Sequence, residues 1–323
     1  MSSPLPKPDV QLSILIVNYR TPDLVLDCLE SVFRETLSTS IEVLVWDNAS
    51  GDQSVDAIAD RFPHVHLIAS PENLGFGAAN NQLATKASAN KILLLNPDTT
   101  ILDNAIDRLY AFARDRPDAQ IWGGRTVFPD GTLNPTCCWA LPTLWSSLAQ
   151  ALGLSKLFAG SLLFNPEGIG GWPRNSERYA EMLSGCFLLI DMGLWRRLEG
   201  FDPIYWMYSE DADLCVRSRT AGARPLFTPS ATICHWGGAS ETVRADKVLR
   251  LFTARTQFLH QHWSPARARL GTLMLNLHVL VRWAGYSLLS ACGKKGVVHE
   301  RAAWSEIWRR RHEWRIVSED SCR

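Results

Sequence analysis

The alternation of strands and helices in the first hundred residues restricts the fold more than any other feature of the chain. Short apolar runs, typical of buried strands, are separated by segments whose apolar residues recur at helical spacing. We predict strands over 12–17, 41–46, 65–69 and 92–95, and helices over 22–33 and 77–87. This order favours an α/β fold with a mostly parallel sheet that helices cover on both faces.

Polar residues follow the predicted strands where each strand ends. Asn18 follows the first strand, Asp47 the second, and Asp98 the last, directly after Pro97. Ligands of open α/β sheets bind at the carboxyl ends of the strands, and a carboxylate there can hold a divalent cation that bridges phosphate oxygens. The turn after the first strand lacks the glycine-rich pattern of dinucleotide-binding dehydrogenases, which argues against that class.

A second group of carboxylates lies far along the chain. Glu210, Asp211 and Asp213 occupy three of four consecutive positions, between an aromatic run and an apolar, basic stretch. We predict that they open a helix, where the free N–H groups and the helix dipole favour negative charge. The pattern alone leaves open an acidic helix start or a catalytic carboxylate.

Composition and charge exclude several classes of protein. With 323 residues and 46% hydrophobic content, the chain can bury a large core and is neither disordered nor fibrous. Fourteen Lys and Arg stand against five Asp and Glu between residues 241 and 315, so this part is basic. No nucleic-acid-binding motif accompanies the basic residues, so we expect no nucleic-acid partner and favour anionic lipid. The eight cysteines without metal-site spacing, and the N-terminus without a signal pattern, predict a cytoplasmic protein with free thiols.

Eight motifs in the same order together resemble the family 2 glycosyltransferases, most of all bacterial rhamnosyltransferases, across roughly residues 12 to 255. The motifs are 14–19 ILIVNY, 47–52 DNASGD, 73–80 NLGFGAAN, 96–98 NPD, 184–187 SGCF, 200–202 GFD, 210–213 EDAD and 235–240 HWGGAS.

The resemblance implies a GT-A fold, a nucleotide-diphospho-sugar donor, a divalent metal and inversion at the anomeric carbon. The expected reaction is transfer of L-rhamnose from dTDP-L-rhamnose to a lipid-linked or cell-surface glycan, as in cell-wall or polysaccharide biosynthesis. UDP-sugars (galactofuranosyl, glucosyl or N-acetylglucosaminyl donors) and GDP-mannose stay open as donors. A non-catalytic nucleotide-sugar-binding scaffold is the alternative from another class.

The resemblance also assigns roles to single residues on the donor side. Asp47 matches the carboxylate that accepts the pyrimidine N3–H, which uracil and thymine share, and several residues are expected to surround the donor with it. These donor-binding residues are Val17, Asn18, Tyr19, Asn73, Gly75, Asn96, Asp98, Gly185 and Arg255. Gly185 would let the backbone approach the substrate, and Arg255 would neutralise diphosphate.

Metal and acceptor residues follow from the same motifs. Asp98 and His235 are the expected ligands of Mg²⁺ or Mn²⁺, and an imidazole ligand suits Mn²⁺ better. Asn96 stands where many relatives have another Asp, which removes one carboxylate from the metal site. Asp211 is the expected catalytic base, with Glu210 and Trp206 on the acceptor side.

We predict an N-terminal tail over 1–11, a GT-A catalytic domain over 12–255 and a helical, basic, Trp-rich region over 256–323. The apolar stretch from Leu270 to Cys292 approaches the length of a membrane span, but Asn276, His278 and Arg282 interrupt it. Trp304, Trp308 and three successive arginines from Arg309 suggest a helix in the lipid headgroup layer; a helical lid on the catalytic domain is the alternative. The expected location is the inner face of the cell membrane, with peripheral contact. Homo-oligomer formation stays open.

Overall fold

A computed structural model describes residues 10–237, 244–294 and 296–314. Residues 1–9 of the predicted tail, Gly238 to Ser240 of the last motif, and residues 315–323 lie outside the described residues. The described strands are β1 Leu12–Asn18, β2 Ile41–Asp47, β3 His66–Ala69, β4 Lys91–Leu95, β5 Thr99–Ile101, β6 Ile121–Val127, β7 Leu133–Asn134, β8 Cys138–Trp139, β9 Arg178–Tyr179, β10 Met182–Leu183, β11 Phe187–Asp191 and β12 Leu226–His235. The described helices are α1 Pro22–Glu35, α2 Ser54–Arg61, α3 Phe76–Ala84, α4 Ala105–Asp115, α5 Leu144–Ala151, α6 Leu154–Leu157, α7 Met192–Arg197, α8 Glu210–Thr220, α9 Arg244–His262, α10 Pro265–Ala291 and α11 Val298–Arg309.

The chain divides into two compact units. The first comprises residues 10–138, 174–203 and 214–237, and the second comprises residues 139–173, 204–213, 244–294 and 296–314. The division of the sequence at residue 255 stays a prediction.

The first unit is built around one sheet. Its strands follow the order β3-β2-β1-β4-β11-β6-β12-β5, with β7 added to β6 and β9 to β12. Neighbours from β3 to β4 are parallel, as are β6 and β12, whereas β11 runs antiparallel between β4 and β6 and β5 runs antiparallel to β12. The predicted mostly parallel α/β sheet is therefore confirmed.

The register of this sheet sets the position of the polar strand ends. Every residue of β1 is buried, as expected for a central parallel strand, and apolar residues of α1 pack on the same core. Asn18 pairs with Asp47, and Ile16 pairs with Leu95, the last residue of β4. The carboxyl ends of β1, β2 and β4 thus share one edge, which gathers the polar residues there.

The second unit is helical. α9, α10 and α11 pack around a core that includes Trp304, Ile307 and Trp314, and α5 packs against α10. Trp304 is buried in this core, so the interfacial position predicted for it is wrong: its large ring packs against the other helices. Among the described residues, we find no helix that combines the length and the hydropathy required to cross a membrane.

Candidate functional site

A hydrogen-bond network joins the ends of β1 and β2. The Asp47 carboxylate accepts hydrogen bonds from the Asn18 amide at 2.9 Å, from the Ser50 N–H at 3.0 Å and from the Ser50 hydroxyl at 2.6 Å. An ionised carboxylate has about four lone-pair positions, so one acceptor position is left beyond these three donors. Val17 is buried beside this network and Tyr19 is half-buried, with the Arg20 guanidinium 5.1 Å from its ring centroid.

Asn48 connects the same strand ends to the loop that contains Asn73 and Gly75. Its amide donates to the Asn73 side-chain oxygen at 2.9 Å and accepts the Leu74 N–H at 2.8 Å. Gly75 has a φ of +81°, a conformation that favours glycine, and its N–H donates to Asn73. Asn48 lies in the motif 47–52, but its role in fixing this loop beside Asp47 was not predicted from the sequence.

The pairing of β5 with β12 brings Asp98 and His235 together. Thr99 pairs with His235, so Asp98, one residue earlier, accepts the Trp236 N–H through its carbonyl and the Gly237 N–H through its carboxylate. His235 Nε2 lies 3.3 Å from Asp98 Oδ1 and 3.4 Å from the Asn96 amide nitrogen. His235 therefore converges at the sheet edge with Asn96, which lies 139 positions earlier in the sequence, and with the neighbouring Asp98.

The electrostatics of this group favour charge on both partners. Burial opposes ionisation of Asp98, but hydrogen bonds and the His235 charge outweigh it and lower the pKa of the carboxyl. Burial also opposes protonation of His235, yet the nearby Cys186 and Asp98 side chains raise the pKa of the imidazole. With no cation, a proton on His235 thus compensates the buried carboxylate.

The donor atoms of Asp98 and His235 fit a shared divalent cation. Adjacent ligands of an octahedral ion with bonds of about 2.1 Å lie about 3 Å apart, close to the observed 3.3 Å. Within the described ranges, no three His, Cys, Asp or Glu side chains form a metal-ligand group. A cation held by these two residues would take its other ligands from water and from a bound phosphate.

Gly185 lies in the loop that enters β11. The next residue, Cys186, accepts the Asn96 N–H through its carbonyl at 3.1 Å, and Ser184 donates its N–H to Cys137. This places the Gly185 loop beside Asn96, at the same edge of the sheet.

The predicted acidic helix start is present in the second unit. α8 begins at Glu210, after Tyr208 and Ser209, which both have positive φ values of 72° and 64°. Strained backbone of this kind clusters at functional sites. Glu210 is buried, and burial, followed by the Asp211 charge, raises the pKa of Glu210 to about 8.

Asp213, in the same turn, has a partner that the sequence did not indicate. Its fully buried carboxylate lies 2.9 Å from His262 Nε2, which is supplied by the last residue of α9. The contact joins residues 49 positions apart, so no local pattern could have predicted it.

The substitution Glu210→Gln is expected to weaken the pH dependence of stability between pH 4.5 and about 8. In this window the folded protein keeps a proton on Glu210 that the unfolded chain has released, so stability falls as pH rises. Glutamine does not titrate. In thermal unfolding, the decrease in Tm from pH 5 to pH 8.5 should be at least about 2 °C smaller for the variant than for the wild type.

The exposed Glu72 provides the control for this measurement, because Glu72→Gln should follow the wild type at every pH. Equal pH profiles for the wild type and Glu210→Gln would show that Glu210 is ionised in the folded protein.

Trp206 borders a cavity of about 410 Å³ in the second unit. The Arg250 guanidinium lies 5.1 Å from the Trp206 ring centroid, a cation–π contact. The lining residues are Ile204, Trp206, Met207, Asp246, Leu249, Arg250, Thr253, Ala254, Gln257, Arg310 and Glu313. Arg310 forms ion pairs with Asp246 and Glu313, and with Arg250 the lining holds two cationic and two acidic side chains.

Arg255 forms a bidentate ion pair with Glu167, with both N–O distances 2.7 Å. Glu167 is buried and also accepts the Ser146 hydroxyl at 3.1 Å. No local pattern indicated Glu167, because the two residues are 88 positions apart. The Arg255 guanidinium already has the Glu167 carboxylate as its anionic partner, and a donor diphosphate would compete with that carboxylate. The role of Arg255 in donor binding stays a prediction.

Comparison with known proteins gives the same assignment as the motifs. The family model described as glycosyl transferase family 2 matches residues 13–157. An N-acetylglucosaminyl-diphospho-decaprenol L-rhamnosyltransferase from Mycobacterium tuberculosis is 29% identical over 276 residues, which cover 75% of this chain and 84% of the relative.

Solved structures show the same fold. A mannosyltransferase from Pyrobaculum calidifontis in complex with GDP-Man and Mn²⁺ superposes with a TM-score of 0.57 at 14% identity, covering 97% of this chain and 88% of that one. GalNAc-T7 with UDP, GalNAc and Mn²⁺ superposes with a TM-score of 0.53 at 14% identity, covering 78% of this chain and 51% of that one. The fold is therefore GT-A. The chain thus carries a family 2 glycosyltransferase domain over residues 13–157 and, over three quarters of its length, resembles a bacterial rhamnosyltransferase.

Proposed function

We propose that the protein is an inverting, metal-dependent transferase that moves L-rhamnose from dTDP-L-rhamnose to a lipid-linked or cell-surface glycan. The observation that carries the proposal is the convergence of Asn96, Asp98 and His235 at the edge of the sheet where Asp47 ends β2. The rhamnosyl donor is supported by the printed activity of the Mycobacterium tuberculosis relative. That name also supports an acceptor sugar on a polyprenyl diphosphate.

In the proposed reaction, the acceptor hydroxyl oxygen forms a bond to the anomeric carbon of the donor sugar. Asp211 takes the hydroxyl proton, and the bond between that carbon and the diphosphate oxygen breaks, with its electron pair leaving on the diphosphate. Attack opposite the leaving group inverts the configuration. A Mg²⁺ or Mn²⁺ ion bound by Asp98 and His235 would supply positive charge to the departing diphosphate.

On the nucleotide, the remaining acceptor position of Asp47 would take the pyrimidine N3–H, with Val17, Asn18 and Tyr19 around the base. Because uracil and thymine share that N–H, Asp47 does not distinguish dTDP-sugars from UDP-sugars. Selectivity for rhamnose then depends on the shape of the sugar pocket.

The donor is tested by thermal shift with dTDP-rhamnose, UDP-galactose, UDP-glucose, UDP-N-acetylglucosamine and GDP-mannose, each with and without Mn²⁺ or Mg²⁺. We expect a metal-dependent shift with dTDP-rhamnose alone. A shift with a UDP-sugar or GDP-mannose instead would replace the rhamnosyl assignment, and binding without turnover on any acceptor would favour a scaffold.

We place the acceptor sugar in the cavity beside Trp206. An aromatic face with polar groups such as Thr253 and Gln257 suits an uncharged ring that has both an apolar face and hydroxyl groups.

The substitution Trp206→Ala is expected to raise the KM for an acceptor about 10-fold and to leave donor binding unchanged, because it removes the stacking surface. The measurement uses a short-chain alkyl diphosphate N-acetylglucosamine as acceptor. Trp283→Ala, a similarly exposed tryptophan of the same unit, is the matched control and should keep the wild-type KM. Equal KM values for both variants and the wild type would remove Trp206 from the acceptor site.

We further propose that the protein works at the cytoplasmic face of the cell membrane through peripheral contact. The basic C-terminal region supports attraction to anionic lipid.

A further inference from the structure

Four large apolar side chains project into solvent after α5. Leu157 is 73% exposed, Phe158 44%, Leu162 63% and Leu163 62%. We name this group the apolar lip. Single exposed apolar residues are common on protein surfaces, but four within seven positions form a patch of the kind that marks an interaction site.

The lip is held in place by the structure beneath it. The Trp145 indole N–H donates to the Leu163 carbonyl at 2.5 Å, and the Phe158 and Phe164 rings lie 5.0 Å apart. A side chain at Gly170 would meet the Ser161 carbonyl oxygen at 2.6 Å, so the loop packs closely on that glycine. The exposure of the leucines therefore belongs to a packed loop.

The charged side chains beside the lip are basic. Lys156 is exposed and is the only charged residue between Gly131 and Pro166, whereas Glu167 beyond it is buried in its ion pair with Arg255. α10 packs on α5, and the Arg282 guanidinium donates to the Gln150 carbonyl at 3.3 Å. Leu289, two turns beyond Arg282 on the same face of α10, is exposed as well.

We propose that the apolar lip inserts into the interfacial layer of an anionic lipid bilayer, with Lys156 and Arg282 contacting the headgroups. Leucine and phenylalanine side chains gain free energy on leaving water, and cationic residues are attracted to anionic lipid. A second copy of the chain is a poorer occupant, since pairing two such faces would bring like charges together. Insertion of the lip rests on the proposed function, in which the enzyme acts on a lipid-linked acceptor, and it would bring the enzyme to that acceptor.

The test is co-sedimentation of the full chain with vesicles of phosphatidylethanolamine and phosphatidylglycerol, and with vesicles of phosphatidylcholine alone. The wild type should bind the anionic vesicles. The triple variant Leu157→Asp, Leu162→Asp, Leu163→Asp should lose at least about 100-fold in partition coefficient. Leu37→Asp is the matched control, since Leu37 is 75% exposed in the first unit and should not contact lipid.

The substituted leucines are solvent-exposed, so the variants should fold, as circular dichroism and Tm would verify. Equal vesicle binding by the triple variant and the wild type, or no binding by the wild type, would overturn the lip assignment. A wild-type dimer in sedimentation velocity that dissociates in the triple variant, without lipid binding, would replace lipid by a second copy.

Vesicle binding needs no sugar substrate, so its outcome is independent of the donor assay. If no nucleotide-sugar binds but the lip governs vesicle binding, the proposed reaction fails and the lipid site stands. If the donor binds and the lip has no effect on vesicles, the lipid site fails alone.

Discussion

The substitution Asp211→Asn is expected to lower glycosyl transfer by about 10²–10⁴-fold, the usual contribution of a general base. Asparagine keeps the size of the side chain and can still accept the Ala212 N–H, which Asp211 Oδ1 accepts at 2.8 Å. It does not take a proton from the acceptor hydroxyl. The kcat for transfer, measured with dTDP-rhamnose and the short-chain acceptor, should fall, while the donor-induced thermal shift remains.

Glu210→Gln tests whether the effect belongs to Asp211. Glu210 is protonated at neutral pH if its pKa is raised as its burial implies, so replacing it by a neutral amide should cost much less activity than Asp211→Asn. Full turnover in Asp211→Asn would exclude this residue as the base. A greater loss in Glu210→Gln would move the role to Glu210.

The substitution Asp98→Asn is expected to weaken the Mn²⁺-dependent part of donor binding by at least about 10-fold. The amide oxygen can still accept the Gly237 N–H, which the Asp98 carboxylate accepts at 3.0 Å, so the local fold should be retained. The variant lacks the negative charge that a hard cation requires. The wild type should show a Mn²⁺-dependent thermal shift with dTDP-rhamnose. The variant should need at least about 10-fold more Mn²⁺ to reach the same shift.

Asp130→Asn provides a matched control, because Asp130 is an exposed carboxylate of the same unit. It should respond to Mn²⁺ as the wild type does. Electron paramagnetic resonance of Mn²⁺ with dTDP gives a reading that does not depend on turnover. Retention of the bound-Mn²⁺ signal in Asp98→Asn would remove Asp98 from the metal site.

Periodicity predicted the first half of the sheet well. The predicted strands agree with β1, β2, β3 and β4 to within two residues, because each is a short apolar run bounded by polar turn residues. The antiparallel insertion of β11 between β4 and β6 was not predicted, since strand order depends on contacts between distant segments.

The residues that the motifs assign to the nucleotide and to the metal stay predictions, and the sequence did not indicate what holds them in place. Asn18, Asp47, Asp98 and His235 were predicted from motifs, and the structure shows how hydrogen bonds group them. The role of Asn48 in fixing the Asn73 loop was missed, although it lies within a quoted motif.

The helices, the strands and the family resemblance could be read from the sequence, because periodicity and motif order are properties of neighbouring residues. The partners of the charged side chains required the folded structure: Asp98 with His235, Asp213 with His262, and Arg255 with Glu167. It also decided that Trp304 is buried while Leu162 is exposed, although both are large and apolar. Burial and pairing depend on which distant segments pack together, and that information is absent from any local window of the chain.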